Sequence, residues 1–366
     1  MAHSQEILDL VNPWQAVRFR QTEITLDKAI ASLQSDHPLI SAKPVNSAGN
    51  RWMLYQGNTN KVAVLSHAGI WAWASPLQTG NFVPEGQTAP EGIPEGRIQS
   101  MPNYKCEFSY AFDTTVDDSF WNHVLALEAF VTSHTNFNKA GRKRRGWQSG
   151  RDPSLRSKYV VGAKVFSRRT PLNAKDTNTA DGSEFNVPYE IHPWLLEGLN
   201  NYPELFQVPN PQRPMYYDFA NGIAKKLEDT NEPTFEKNDI VRVVFTVSFV
   251  VGTKGWYTEI TPVEFTRVGK IPEALTSSAD PSAVPDITSD FARLEDGVPI
   301  VLLDDDPSLG KRKAQDDLME EHAPAKKPSS RSEATRDTTE KENEHRQLGK
   351  QNGVSRRSAS GSKAKS

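Results

Sequence analysis

The sequence has one cysteine, Cys106, among 366 residues. A single cysteine excludes an intramolecular disulfide and any zinc site built from several thiolates, and it is typical of a reducing compartment. No window approaches the stretch of about 18 apolar residues that a membrane helix needs. The first residues, MAHSQEILDLVNPW, lack the apolar segment of a signal peptide. We therefore expect a soluble intracellular protein with no membrane partner.

Aromatic residues are almost missing from the last quarter of the chain. Phe291 is the only one after Thr276, although the whole chain is 9% aromatic. Such a segment buries too little apolar surface to offset the cost of ordering the backbone, about 1–2 kcal/mol per residue. We predict a disordered tail over residues 276–366 and one globular domain over residues 1–275.

The domain has the pattern of a β-rich α+β fold. Cys106, Phe108, Tyr110 and Phe112 alternate with polar residues, and a long alternating hairpin is predicted over 239–260. Further strands are expected at 51–55, 61–65, 70–74, 157–166 and 263–268, with SHAG (66–69) as a turn and an exposed Pro-Glu-Gly loop over 81–103. Two helices, near 25–34 and 113–134, complete the prediction. This is a mainly antiparallel sheet, compatible with a partly open barrel of the oligonucleotide-binding kind.

Enzyme signatures are scarce. The sequence has no Gly-rich phosphate loop, no G-x-S-x-G motif and no H-E-x-x-H motif. We interpret His123 and His134 as one packed and one solvated histidine, and Asp117 and Asp118 as acids of a first helical turn. The sequence thus predicts no catalytic residues, no metal and no cofactor. An enzyme assembled from residues distant in sequence stays open as a less favoured alternative.

Positive charge is concentrated between residues 139 and 169, where eleven cations face one acid, Asp152. This density is expected where a protein neutralises phosphates, and Trp147, flanked by glycines, is placed to stack on an unpaired base. The alternative is a solvated loop, or a second nuclear address, with Trp147 in the core. The predicted nucleic-acid-binding residues are Lys139, Arg142, Lys143, Arg144, Arg145, Trp147, Arg151, Arg156, Lys158, Arg168 and Arg169; Lys164 lies in the same stretch.

The tail contains one aliphatic run followed at once by acids, VPIVLLDDD (298–306). It resembles a SUMO-interacting motif, a short extended peptide that adds as a strand to the edge of the modifier's sheet. The resemblance implies that the aliphatic residues form the strand and that the acids face a basic rim. The residues concerned are Ile300, Val301, Leu302, Leu303, Asp304, Asp305 and Asp306. The alternatives are a chance cluster and a last strand that docks on the domain.

Two basic clusters follow this run. Lys311, Arg312 and Lys313 are separated by twelve residues from Lys326 and Lys327. The spacing resembles a bipartite nuclear localisation signal, which implies an import receptor as a partner; a charge-balanced linker is the alternative. The sequence therefore predicts a nuclear, non-enzymatic protein that binds nucleic acid, DNA or RNA, and a SUMO-modified protein. A nuclear adaptor without nucleic-acid contact is the second hypothesis.

Overall fold

The computed structural model describes residues 4–276, except 92, 94, 96–97, 99, 103–105, 147, 149–155, 169–188, 202–206 and 210–212. Within these residues the fold is a β-rich α+β arrangement, as predicted. The helices are α1 (Ser4–Gln15), α2 (Leu26–Ser32), α3 (Ser119–Thr132), α4 (Pro193–Asn201) and α5 (Glu273–Thr276), with a 3-10 turn at Leu227–Asp229. In this part of the chain, no helix combines the length and apolar character needed to cross a bilayer.

Ten strands form one mixed, mostly antiparallel sheet. They are β1 (Glu23–Thr25), β2 (Ile40–Pro44), β3 (Arg51–Gln56), β4 (Val64–Ala74), β5 (Glu107–Asp113), β6 (Lys158–Lys164), β9 (Met215–Ala220), β10 (Ile223–Lys226), β11 (Asp239–Gly252) and β12 (Gly255–Lys270). A separate antiparallel pair consists of β7 (Phe166–Arg168) and β8 (Gln207–Pro209).

The long hairpin of β11 and β12 is the centre of the sheet. The strand order is β10-β9-β12-β11-β4-β5-β6, and β3 with its partner β2 continues the edge of β11 beyond β4. Two pairs are parallel, β1 with β4 and β9 with β12. Because β9 pairs only with Glu264–Arg267 of β12, no described strand is hydrogen-bonded to the edge of β12 near the hairpin turn, which we call the uncovered edge.

Aromatic side chains fill the main core between the sheet and α3. Trp71, Tyr110, Phe112, Phe120 and Phe265 are buried there and contact one another edge to face or at a tilt. Such ring pairs contribute about 0.5–1.5 kcal/mol each beyond the area they bury. A second cluster includes α1, which places Ile7, Leu10, Val11 and Trp14 with Ala68, Ile70 and Ile240 of the sheet.

A buried ionic network ties β1 to the central hairpin. Arg20 contacts Glu23 at 3.2 Å and Glu264 at 2.7 Å, and Arg242 of β11 also pairs with Glu23. All four side chains are almost fully excluded from solvent. Since each buried charge has a partner of opposite sign, loss of any one would leave another uncompensated.

The structure differs from the sequence prediction in three places. The turn prediction for SHAG is wrong, because Ser66–Gly69 pair with Val244–Val241 and β4 runs unbroken through them. The described residues contain five α-helices where one or two were expected. The predicted exposed loop 81–103 is exposed at 85–88, but Phe82 and Val83 are buried at its start, where Phe82 packs edge-on against Phe166.

The predicted tail motifs, Ile300–Asp306, Lys311–Lys313 and Lys326–Lys327, lie outside the described residues. The described part ends with α5 at Thr276, beside the predicted domain boundary.

Candidate nucleic-acid interface

The basic loop, residues 138–148, lies along the uncovered edge of β12. Arg145 N donates to Trp256 O at 2.9 Å, and Trp256 N donates to Lys143 O at 3.1 Å, so Arg144 forms a parallel bridge with Trp256. These two bonds satisfy backbone groups that an exposed strand edge would leave open to other chains. The loop is therefore held by backbone hydrogen bonds at the tip of the long hairpin.

The start of the basic loop is a tight turn closed by one side chain. Asn138 Oδ1 accepts a bond from Arg142 N at 3.0 Å, and its Nδ2 donates to Arg142 O at 2.8 Å. Asn138 has φ 47° and Gly141 has φ 61°, values in the left-handed region that asparagine and glycine tolerate best. The turn leaves Lys139 and Arg142 exposed on its surface.

The end of the basic loop reaches the edge of β6 that faces away from β5. Gln148 Nε2 donates to Val160 O, and its Oε1 accepts from Val160 N, both at 2.7 Å. The amide thus takes the place of a neighbouring strand for one residue. The loop consequently connects the uncovered edge of β12 with the outer edge of β6.

Arg144 points away from solvent and anchors the loop. Its guanidinium contacts Glu128 of α3 at 2.6 Å, and it lies over the ring of Trp256 at 5.3 Å. Glu128 also accepts a bond from the Thr258 hydroxyl. The Arg144 and Glu128 side chains are only 8% and 9% exposed. Arg144 was predicted to contact nucleic acid, but this pairing commits its side chain to the fold, and we leave it out of the interface.

Its neighbours face outward. Arg145 lies over the ring of Tyr257 at 4.7 Å, and Arg142 donates to the carbonyl of Thr253 in the hairpin turn. The exposed cations of this region are referred to below as the tip cluster. Its members are Lys139, Arg142, Lys143, Arg145 and Lys254. None of the five forms an ion pair with an acid in the described part of the chain.

Lys254 is the member that the sequence prediction missed. It occupies the turn between β11 and β12, more than a hundred residues after the basic loop. The signal was present as the turn GTKG, but nothing in the sequence shows that this turn lies under the loop. The basic loop and the hairpin turn pack closely at Gly255, which has φ 148°. A Cβ at this position would lie 2.6 Å from Lys143 O.

Of the remaining predicted residues, only Arg156 and Lys158 have described side chains. Arg156 is half-buried in the turn before β6, where its carbonyl accepts from Thr114, and Lys158 is exposed at the start of β6. Lys164, in the same stretch, pairs with Glu107. Arg168 lies in β7 with its side chain outside the description, and Trp147, Arg151 and Arg169 lie outside the described residues.

A second polar cluster, near α3, has residues of the type that hold metals. Asp27, His67 and His123 each offer one ligand atom, and these atoms lie within 4.8 Å of one another. Burial, with the nearby His123, lowers the pKa of His67 to about 3, so that its imidazole is neutral. Burial raises the pKa of Asp27, with His123 opposing the rise and Asp117 adding to it.

Of these three residues, the sequence analysis considered only His123, which it interpreted together with His134. His134 instead contacts the ring of Trp52 at a tilt and the ring of Phe130 edge to face. His67 and Asp27 reach His123 from β4 and α2, so their proximity depends on the fold and not on spacing along α3. Comparisons of the chain with protein-family models, with curated proteins and with solved structures gave no match.

Proposed function

We propose that this is a nuclear, non-enzymatic protein that binds nucleic acid through the tip cluster. One observation carries the proposal: five exposed cations, none paired with a described acid, lie together on the basic loop and on the hairpin turn to which backbone hydrogen bonds fix that loop. A fixed array of cations loses little conformational freedom on binding a polyanion. Two of the five, Arg142 and Arg145, are arginines, whose planar guanidinium suits phosphate oxygens.

The shape of the domain supports the same function. Strands β12, β11, β4, β5 and β6 are neighbours in that order, and the basic loop joins the two outer strands of this set. We propose that these five strands form the partly open barrel expected from the sequence. In barrels of the oligonucleotide-binding kind, nucleic acid is bound across the strands and the adjoining loops.

In this proposal the tail carries a SUMO-interacting motif and a nuclear localisation signal. Residues Ile300–Leu303 add as a strand to the edge of SUMO, with Asp304–Asp306 against its basic rim, and Lys311–Lys313 with Lys326–Lys327 bind an import receptor. A tagged protein that ends at Thr276 should then lose its nuclear accumulation. Retention in the nucleus would transfer the import role to the basic loop.

Binding to labelled oligonucleotides tests the nucleic-acid proposal. Four members of the tip cluster, Lys139, Arg142, Lys143 and Arg145, are changed to glutamate, and single-stranded and double-stranded DNA and RNA are titrated with both proteins. Five phosphate contacts predict a slope of log affinity against log salt of about −4.5 for duplex DNA and about −3.5 for single strands. That slope lowers duplex affinity roughly 500-fold between 50 and 200 mM salt.

The matched control reverses four exposed lysines elsewhere, Lys28, Lys61, Lys225 and Lys237. It changes the net charge by the same amount, so any effect of overall charge appears in both variants. We expect binding to be lost only in the tip variant, with near-UV circular dichroism unchanged in both. Equal losses, or no binding by the unmodified protein at low salt, would refute the proposal and favour the adaptor hypothesis.

A further inference from the structure

The interior side of α3 carries a polar cluster that the proposed function does not use. Asp27 comes from α2, His67 from β4 and His123 from α3, and their ligand atoms lie within 4.8 Å of one another. His123 Nε2 is 3.1 Å from Asp27 Oδ1. In a tetrahedral zinc site with ligands at about 2.0–2.1 Å, ligand atoms are about 3.3 Å apart. Small side-chain movements would bring the three atoms to that separation.

We propose that Asp27, His67 and His123 bind a divalent transition-metal ion, with Zn²⁺ as the best fit. Two imidazoles and one carboxylate are zinc ligands, and three protein ligands leave a fourth position for water. Mg²⁺ and Ca²⁺ prefer sets made of oxygen ligands, so a site with two nitrogen donors selects against them.

Outer contacts hold His67 in place. The amide of Gln15 has two hydrogens, which reach Ala68 O at 3.1 Å and Asp117 Oδ2 at 2.7 Å. His67 Nε2 lies 3.3 Å from Ser119 Oγ and 3.4 Å from Gln15 Nε2. Polar contacts on one ring nitrogen restrain the orientation of the ring, as outer contacts usually do for metal-binding histidines.

The charges around the cluster favour a cation. Neither Asp27 nor Asp117 forms an ion pair with a lysine or arginine among the described residues; Asp117 instead accepts hydrogen bonds from Gln15 Nε2 and Ser119 N. His123 Nδ1 is buried and has no hydrogen-bond partner. A bound cation would offset the negative charge of the two carboxylates.

The cluster is open to solvent on one side. The Asp27 side chain is 44% exposed and that of His123 is 19% exposed, whereas His67 is buried behind them. An ion can thus reach the cluster without unfolding of the domain.

The test uses the full chain, stripped with a chelator and titrated with Co²⁺ and with Zn²⁺. Co²⁺ should bind one to one and give the intense visible absorption of a four-coordinate nitrogen and oxygen site, and Zn²⁺ should displace it. Asp27→Asn and His123→Gln should each weaken Zn²⁺ binding by more than the roughly 10–100-fold that loss of an outer partner causes. The matched controls Asp36→Asn and His37→Gln change exposed residues of a nearby loop and should leave affinity unchanged.

Three outcomes would overturn the proposal. They are no stoichiometric Co²⁺ binding, binding that Asp27→Asn leaves unchanged, and binding that His37→Gln removes, since the last would identify an adventitious surface histidine. Asp27→Asn keeps the shape of a half-exposed side chain, so its folding is expected to survive even if His123→Gln fails to fold. Metal binding and oligonucleotide binding are measured separately, and failure of one does not decide the other.

Discussion

Two adjacent arginines of the basic loop should lose very different amounts of stability on the same substitution. Arg144→Met removes the partner of Glu128, whose carboxylate is 9% exposed, and leaves that charge buried. Breaking a buried ion pair from one side typically costs about 3–5 kcal/mol. Arg145→Met removes an exposed guanidinium that lies over Tyr257, an interaction worth about 0.5–1 kcal/mol at an exposed site.

Urea unfolding at neutral pH measures both effects. We expect the free energy of unfolding to fall by about 3–5 kcal/mol for Arg144→Met and by less than about 1 kcal/mol for Arg145→Met. Adding Glu128→Gln to Arg144→Met should recover part of the loss, because the uncompensated charge is then gone. Equal small losses for the two single variants would refute the burial of the pair, and with it the account of how the loop is anchored.

Three further predictions concern other parts of the chain. Gly255→Ala should destabilise the protein by about 1–3 kcal/mol in the same assay, because φ is 148° and the loop backbone lies 2.6 Å from the new Cβ. The control Gly146→Ala should have little effect, because its Cβ meets nothing within 4 Å. Burial raises the pKa of Tyr216 to about 12. The stability that the protonated phenol contributes is therefore complete below about pH 10 and is lost as the pH rises towards 12. Tyrosinate absorbance should show this late ionisation, and an ordinary Tyr216 pKa in the folded protein would contradict it. A peptide of residues 295–310 should shift groove resonances of SUMO, and the absence of shifts would remove the tail assignment.

The sequence predicted the elements whose pattern is local. Alternation in 105–112 and 239–260 anticipated β5 and the long hairpin, because the side-chain period of a strand is two, although β11 is buried on both faces over residues 239–245. The turn predicted at SHAG was wrong because its glycine serves tertiary packing inside a strand. A glycine between two apolar runs suits a turn. Gly69 instead lies inside a strand, where a Cβ would come 3.0 Å from the ring of Phe112, so the position needs a residue without a side chain.

The candidate site was predicted only in part. Charge density located the basic loop, but density does not show which cations face the interior. Arg144 alternates with Lys143 and Arg145 and turns towards Glu128, a helix residue sixteen positions earlier. Lys254 joins the loop only because the hairpin brings its turn there, and His67 meets Asp27 and His123 by the same kind of tertiary contact.

The salt dependence of binding for Lys254→Gln tests the central claim most directly, because this lysine belongs to the interface only if the fold brings the hairpin turn to the basic loop. Loss of one phosphate contact should make the slope of log affinity against log salt shallower by about 0.7–0.9. Lys61→Gln, which neutralises an exposed lysine away from the tip cluster, should leave the slope unchanged. Identical slopes for the unmodified protein and both variants would contradict the account.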